Sequence, residues 1–373
     1  MYAEGRGVAK DDLEAVKWFR NAINNKGTEG GVAKYNLAFM YANGRGVAQD
    51  EAEAVKWYRK AADGGYIVVP QDNVLALSHS RRVGISDSER VRHYRQSAEQ
   101  GDALGQLWLA TMYWQGRGGL PKDETQAVEW YRKAADQGDA EAQNTLGLLY
   151  AAGRGVARDE AEAVKWYRKA ADQGHAAAQV KLGDAYDKGL GVAKDEAEAL
   201  RWFHKAAERG DSMAQYTLGL LYVAGQGVPR DETEAVKWFR KAAEQGDANA
   251  QHNMAVAYAQ GKGVTRDEAV AVEWYRKAAE QGHALGQLRL AAAYMGGRGG
   301  LPRDEVQGVK WLLAAADQGN AEAQFGLGLW YIEGRGGSPK DHVEAVGWFR
   351  KAAQQGHPQA LRALQKRGLG LIP

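Results

Sequence analysis

Nine of the chain's 12 tryptophans fall on one ruler. Trp130, Trp166, Trp202, Trp238 and Trp274 stand 36 residues apart at every step, and Trp311 and Trp348 follow at 37. Upstream, Trp57 lies 73 residues before Trp130, with His93 at the intermediate position. Trp18 lies 39 residues before Trp57, in a unit with three extra residues around Gly27–Gly31. The 37-residue units carry their added residue in loops: Gly118-Gly119-Leu120-Pro121, Gly299-Gly300-Leu301-Pro302 and Gly336-Gly337-Ser338-Pro339. A fixed period along the whole chain is the signature of a stacked array. It displaces the two or three ordinary domains that 373 residues would otherwise suggest.

The unit from Asp139 to Gly174 shows the internal logic. Asp139 is placed to cap a first helix, and Ala142, Leu146, Leu149 and Tyr150 then recur at helical spacing on one face. Gly153-Arg154-Gly155-Val156 ends that helix, the first glycine supplying a left-handed cap. Asp159 followed by Glu162 predicts a capping box opening a second helix. Ala163, Trp166, Tyr167, Ala170 and Ala171 form its apolar face, with Lys165, Arg168 and Lys169 outside, and Gly174 stops it. Each unit is therefore an αα-hairpin, too small to bury its own face, and neighbours must stack on it. Small residues recur where helices would have to approach: Ala38, Ala110, Gly147, Gly183, Gly219, Ala255, Ala291 and Gly328. Mid-helix glycine costs about 1 kcal/mol relative to alanine, so tight inter-helix contact is expected at the four glycines.

The recurring string A-x-x-x-L-G-x-x-Y-x-x-G-x-G-V-x-x-D-x-x-x-A-x-x-W-x-x-x-A-A-x-x-G stands here as Ala142, Leu146, Gly147, Tyr150, Gly153, Gly155, Val156, Asp159, Ala163, Trp166, Ala170, Ala171 and Gly174. It closely resembles the Sel1-like repeat, a relative of the tetratricopeptide repeat, and the resemblance covers essentially the full chain. It implies an all-α, right-handed α-solenoid of about nine αα-hairpin repeats, with members typically acting as protein-binding scaffolds. The cysteine-rich branch of that family is excluded by the absence of cysteine.

One solenoid is expected over residues 1–373, with 1–22 a partial first repeat, 65–90 a degenerate repeat and 357–373 a C-terminal cap. Met1-Tyr2 aligns with Leu149-Tyr150, so the chain starts at the end of a first helix. A truncated start is expected, with any signal peptide belonging to a longer parent and with cytoplasmic and periplasmic residence both open. Counting back from His93, Ser80 and Arg82 replace both loop glycines, Leu77 the tyrosine and Asn73 the core leucine. Pro70 stands inside what should be a first helix, yet Ser86 and Glu89 still make a capping box. This segment reads as a decayed repeat with Asn73 and His93 buried at a packing cost; a hinge or recognition element is the alternative. At the far end, His357-Pro358 opens a final helix and Gln365-Lys366-Arg367 closes it as a polar cap.

Little in the sequence carries chemistry. Lys+Arg 49 against Asp+Glu 47 gives +2, which provides no surface for phosphate neutralisation, so no nucleic acid is expected. No apolar run approaches the ~20 residues that span a bilayer. The Gly-x-Gly-Val loop lacks the Gly-Lys-Ser/Thr of a phosphate loop. Serines form neither Ser-x-x-Lys nor Gly-x-Ser-x-Gly. Histidines form no His-x-x-x-His pair, and His175, His283 and His357 occupy the same capping position as Asp139. Arg6, Arg45, Arg117, Arg154, Arg298 and Arg335 align in successive loops, where acidic caps four to six residues later are expected to neutralise them. No catalytic constellation, metal site or cofactor emerges, and the chain is read as a non-enzyme.

A partner is expected on the first helices, at positions opposite the repeated core. In the Asp139–Gly174 unit these are Asn144, Leu148 and Ala151. Their equivalents are Leu107/Thr111/Trp114, Val180/Asp184/Asp187, Tyr216/Leu220/Val223, His252/Val256/Ala259, Leu288/Ala292/Met295 and Phe325/Leu329/Ile332. The stripe is mostly apolar and varies from unit to unit. In related solenoids first helices line the concave surface, so the expected function is protein or peptide binding in that groove, the acids Asp184 and Asp187 selecting Lys or Arg. The alternative for the stripe is packing between neighbouring first helices. The rival functions are a cell-wall-associated hydrolase-like enzyme on the repeat scaffold and a module that self-associates through an exposed N-terminal helix.

Overall fold

The computed structural model describes residues 12–24, 30–43, 45–48, 50, 53, 56–57, 86–337 and 339–366. The expected partial repeat before Asp12, the degenerate stretch up to residue 85 with Pro70 and Asn73, and residues 367–373 of the C-terminal cap lie outside them.

Among the described residues the chain is all-α, and packing divides it into two units, 1–123 and 124–373. The first holds α1 (Asp12–Asn24), α2 (Gly30–Asn43), α3 (Asp87–Glu99) and α4 (Ala103–Gln115). The second holds α5 (Glu124–Asp136), α6 (Ala140–Ala152), α7 (Glu160–Asp172), α8 (Ala176–Lys188), α9 (Glu196–Glu208), α10 (Ser212–Ala224) and α11 (Glu232–Glu244). It continues through α12 (Ala248–Gln260), α13 (Glu268–Glu280), α14 (Ala284–Gly296), α15 (Glu305–Asp317), α16 (Ala321–Glu333), α17 (His342–Gln354) and α18 (Pro358–Gln365), with a 3-10 turn at Arg335–Gly337. Even-numbered helices are the first of each hairpin and odd-numbered ones the second. From α5 to α18 every helix packs on its chain neighbours, so each first helix from α6 to α16 is held between two second helices, and α18 rests on α17. The fold is an α-solenoid of helical hairpins.

Local chemistry sets the boundaries. Asp139 sits in extended backbone and accepts from the Ala142 N–H at 2.7 Å, starting α6. Gly153, at φ 65°, closes it in the left-handed region. Gly155, at φ 66°, is constrained twice, because a Cβ there would lie 2.3 Å from the Glu124 carbonyl oxygen at the start of α5. The loop therefore rests directly on the preceding hairpin. The Asp159 N–H donates to the Tyr150 carbonyl at 3.0 Å, and its side chain caps α7. The expected capping box is only half present: Asp159 accepts from the Glu162 N–H, but the Glu162 carboxylate takes Lys165 at 2.8 Å instead. The full reciprocal box occurs at Ser86 and Glu89.

On the second helices most ruler tryptophans face inward; Trp57, Trp130, Trp274 and Trp311 are half-buried, and Trp18 on α1 is 57% exposed. Trp166, Trp202, Trp238 and Trp348 are buried, and Ala163, Ala170 and Ala171 beside Trp166 let helices approach closely. The four mid-helix glycines are explained by the same contact. A Cβ at Gly147 would lie 2.6 Å from the Tyr167 ring, and at Gly219 and Gly328 it would lie 2.4 Å from Phe239 and Phe349. Gly183 meets Phe203 at 2.8 Å in the same way. Outside, a lysine one turn on lies over the indole, Lys169 over Trp166 at 3.7 Å and Lys205 over Trp202 at 3.8 Å. Trp311 has Ala314 at that place.

His93, expected to be buried at a tryptophan position, is exposed in α3. Tyr94 takes the inward role and stacks on Trp108 with ring centroids 6.1 Å apart. The imidazole thus avoids desolvation while its neighbour supplies the aromatic contact.

Candidate partner-binding face

The polar framework of the first helices is a set of buried glutamines. Gln143 on α6 donates from Nε2 to the Ala135 carbonyl of α5 at 3.0 Å and accepts from Gln173, the residue capping α7, at 2.8 Å. One side chain thereby ties three helices together. The arrangement recurs at Gln215 with Gln245, Gln251 with Gln281, Gln287 with Gln318 and Gln324 with Gln355, each accepting at 2.7–2.9 Å. It breaks once in the series: Gln179 donates to the Ala171 carbonyl, but Arg209 stands where its glutamine donor belongs and the Gln179 Oε1 is buried without a partner. The Arg209 guanidinium lies over Gly174 instead. Glutamines repeating in step with the tryptophans were a readable signal that the motif reading passed over.

The loop arginines also find different partners from those expected. Arg154 pairs with Glu124, 30 residues earlier at the start of the preceding second helix. Arg117 pairs with Asp87 at 2.8 Å and Arg45 with Asp12 in the same sense. The acids that follow in each loop cap their own helix, which leaves the arginine to bridge backwards across the stack. The capping role of His175, His283 and His357 is as expected: each accepts a backbone N–H through Nδ1, from Ala178, Gly286 and Ala360.

The expected partner-binding stripe divides by position. Its first member lies deep. Leu107, Asn144 and Val180 are buried, and Tyr216, His252, Leu288 and Phe325 are half-buried under the following hairpin. Tyr216 packs on Phe239, and Phe325 stacks on His357 with centroids 4.8 Å apart. The middle member is exposed in four units, with Leu148 at 39%, Leu220 at 40% and Leu329 at 38% beside Ala292, and half-buried at Thr111, Asp184 and Val256. Val223 is 40% exposed, whereas Thr111, Trp114, Asp187, Met295 and Ile332 are half-buried. The Thr111 hydroxyl donates to the Leu107 carbonyl at 2.9 Å.

The acids do not project freely, contrary to expectation. Asp184 is half-buried, and desolvation holds its carboxyl above the ordinary carboxylate range against the opposing pull of Lys188 and Lys181. Asp187 accepts from the Gln226 side chain of the next hairpin's loop at 2.6 Å. Among the described residues no group of three His, Asp or Glu side chains is placed to hold a metal ion, and no helix is long and apolar enough to cross a membrane.

Comparison with known proteins places this geometry. The family model of the Sel1 repeat matches residues 1–26, 31–66, 91–102, 103–139, 140–175, 176–211, 212–247, 248–283, 284–320 and 321–357. That is one segment more than the about nine repeats expected, and each of the ten holds one position of the ruler, nine tryptophans and His93. A protective antigen of uropathogenic Escherichia coli strains, with an SLR fold, is 37% identical over the whole of this chain and 79% of its own, with a TM-score of 0.69. A Sel1 repeat protein from Oxalobacter formigenes is 35% identical over 66% of this chain and 96% of its own, with a TM-score of 0.58. Among curated proteins none matches.

Proposed function

Because this chain belongs to the Sel1 repeat family, we propose that it is a non-catalytic scaffold that binds a protein or peptide along its first helices. One observation carries the reading. Leu148, Leu220 and Leu329 occupy the same register on α6, α10 and α16 and stay exposed, and apolar side chains that recur at one register mark a contact surface in a way that scattered ones do not. Their aligned equivalents Val256 and Ala292 extend the apolar row, and Asp184 interrupts it.

The partner is a segment with apolar side chains flanking a Lys or Arg. Apolar contact supplies most of the affinity, and the Asp184/Asp187 pair selects the central cation by discriminating against an acidic or neutral residue there. The groove residues are the second and third members of the stripe, Leu148, Asp184, Asp187, Leu220, Val223, Met295, Leu329 and Ile332, with Tyr216, His252, Leu288 and Phe325 packed beneath them. Thr111 and Trp114 stand at the corresponding positions in the unit of residues 1–123, above the buried Leu107. Family membership supports the non-catalytic reading, since Sel1-repeat proteins are generally scaffolds.

The test uses a partner recovered by affinity capture from the native host and identified by mass spectrometry. Leu148→Asp with Leu220→Asp should weaken its binding at least tenfold, and Asp184→Lys with Asp187→Lys should weaken it less. Helicity of both variants is measured in parallel. Unchanged affinity in both folded variants removes the binding site from this face.

A further inference from the structure

We propose that the seam between α12 and α14 is an acid-sensitive joint, opened when the stacked imidazoles of His252 and His283 take up a proton. His252 lies on α12, in the first hairpin of the pair, and His283 is the residue that starts α14 in the next. Their ring centroids are 4.8 Å apart with planes tilted by 30°. The Tyr275 ring of α13 closes the third side at 5.7 Å.

Both rings are built into the fold as neutral groups. The Nδ1 of His283 accepts the Gly286 N–H at 3.0 Å, so protonation there would convert the cap acceptor into a donor facing a donor. The Nδ1 of His252 is buried with no hydrogen-bond partner, so a proton added there meets no protein acceptor. The charged groups facing the pair do not rescue it. Arg289 on α14 repels an imidazolium at His252. Asp247 favours a charge on His283, but its carboxylate is already held by the Ala250 N–H at 2.7 Å. Tyr275 is itself desolvated and brings no negative charge near neutrality. Burial, followed by the repulsion of His283 and Arg289, pushes His252 down to about 4.

The direction of the effect follows. In the unfolded or opened segment the His252 ring titrates near its ordinary value of about 6.5. The opened state therefore binds more protons than the closed one throughout the window from about pH 6.5 down to about 4. Closure is complete above that window and is lost progressively on descending through it. The array carries its own control. At the corresponding seam between α16 and α18, Phe325 takes the place of His252 and stacks on His357, again at 4.8 Å. There His357 caps its helix through Nδ1 as His283 does, accepting the Ala360 N–H at 3.3 Å, so that seam shares the cap and differs in having no second imidazole stacked on it.

The experiment is hydrogen exchange on the full chain at pH 7 and pH 5, with protection corrected for intrinsic exchange rates. Opening of α12 and the first turn of α14 should increase on the order of tenfold, clearly more than that of α16 and α18, which share the cap without the buried imidazole. His252→Phe copies the residue at 325, so the variant is expected to fold, and it should abolish the local increase. His283→Asn, which keeps a capping side chain as Asn320 does, should reduce it. Flat protection in the wild-type chain overturns the proposal. So does an unchanged acid response in His252→Phe.

Discussion

Two neighbouring junctions of this solenoid share a backbone and differ in one polar contact. Where α9, α10 and α11 meet, Gln215 donates to the Ala207 carbonyl and accepts from Gln245, so every polar atom of the buried amide is used. Where α7, α8 and α9 meet, Gln179 makes the first bond and lacks the second, because Arg209 has replaced the donor and lies outside over Gly174. The apolar layers correspond: Trp202 shares a cluster with Val164, Tyr167 and Leu182, and Trp238 shares one with their counterparts Leu200, Phe203 and Leu218. The pairing teaches that helix placement in the repeat comes from the aromatic layer. The buried amide adds a separate increment, and one junction can forgo it because neighbours on both sides hold its helices.

That separation can be attacked directly. Trp202→Ala and Trp238→Ala should each cost ~3–5 kcal/mol as truncations of a well-packed core, and the two losses should be similar. A clearly smaller cost for Trp202 in denaturant unfolding would show that its junction is loosely packed as well as under-bonded. Gln215→Leu should follow at ~1–3 kcal/mol, because it strands the Gln245 amide and the Ala207 carbonyl together. Gln179→Leu removes an orphaned acceptor along with a useful donor, so it should cost less, by about 1 kcal/mol. Equal costs would mean that Gln179 is satisfied in solution. Arg209→Gln should complete the missing bond and stabilise by ~0.5–1.5 kcal/mol, read as slower exchange in α8 and α9. A loss of stability would place the guanidinium's contact with Gly174 above the hydrogen bond. The smallest effect belongs to Lys205→Ala, ~0.5–1 kcal/mol from a partly exposed cation over Trp202, and Lys241→Ala above Trp238 should match it.

Most of the fold was legible in the residues themselves. Tryptophan spacing, paired loop glycines and an Asp, Asn or His before each first helix specify hairpin, period and caps, because these depend on local backbone chemistry. The partner-binding face was less legible, for a physical reason. A helical wheel assumes one buried side, but α8 is packed by both α7 and α9, so its buried arc is wide and takes in Val180. Asn144 on α6, packed by α5 and α7, is buried for the same reason. The bridging of Arg154 to Glu124 was hidden because it runs between hairpins. A reading confined to one unit finds the acid at its own cap first. The glutamines were visible and periodic, yet polar residues at helix starts are ordinarily assigned to solvent.

The longer loops show what the array permits an engineer to change. Gly299 is wedged against its neighbour, with a Cβ there falling 2.5 Å from the Glu268 carbonyl oxygen, while the adjacent Gly300 has nothing within 4 Å. Gly118 and Gly119 repeat the arrangement against Asp87. The extra residue of a 37-residue unit thus enters on the water side of the turn, and the contact with the previous hairpin is kept. An epitope or fluorophore spliced at Gly300 would sit on that outer edge. It would report on the protein from outside, with the helices on either side still in phase.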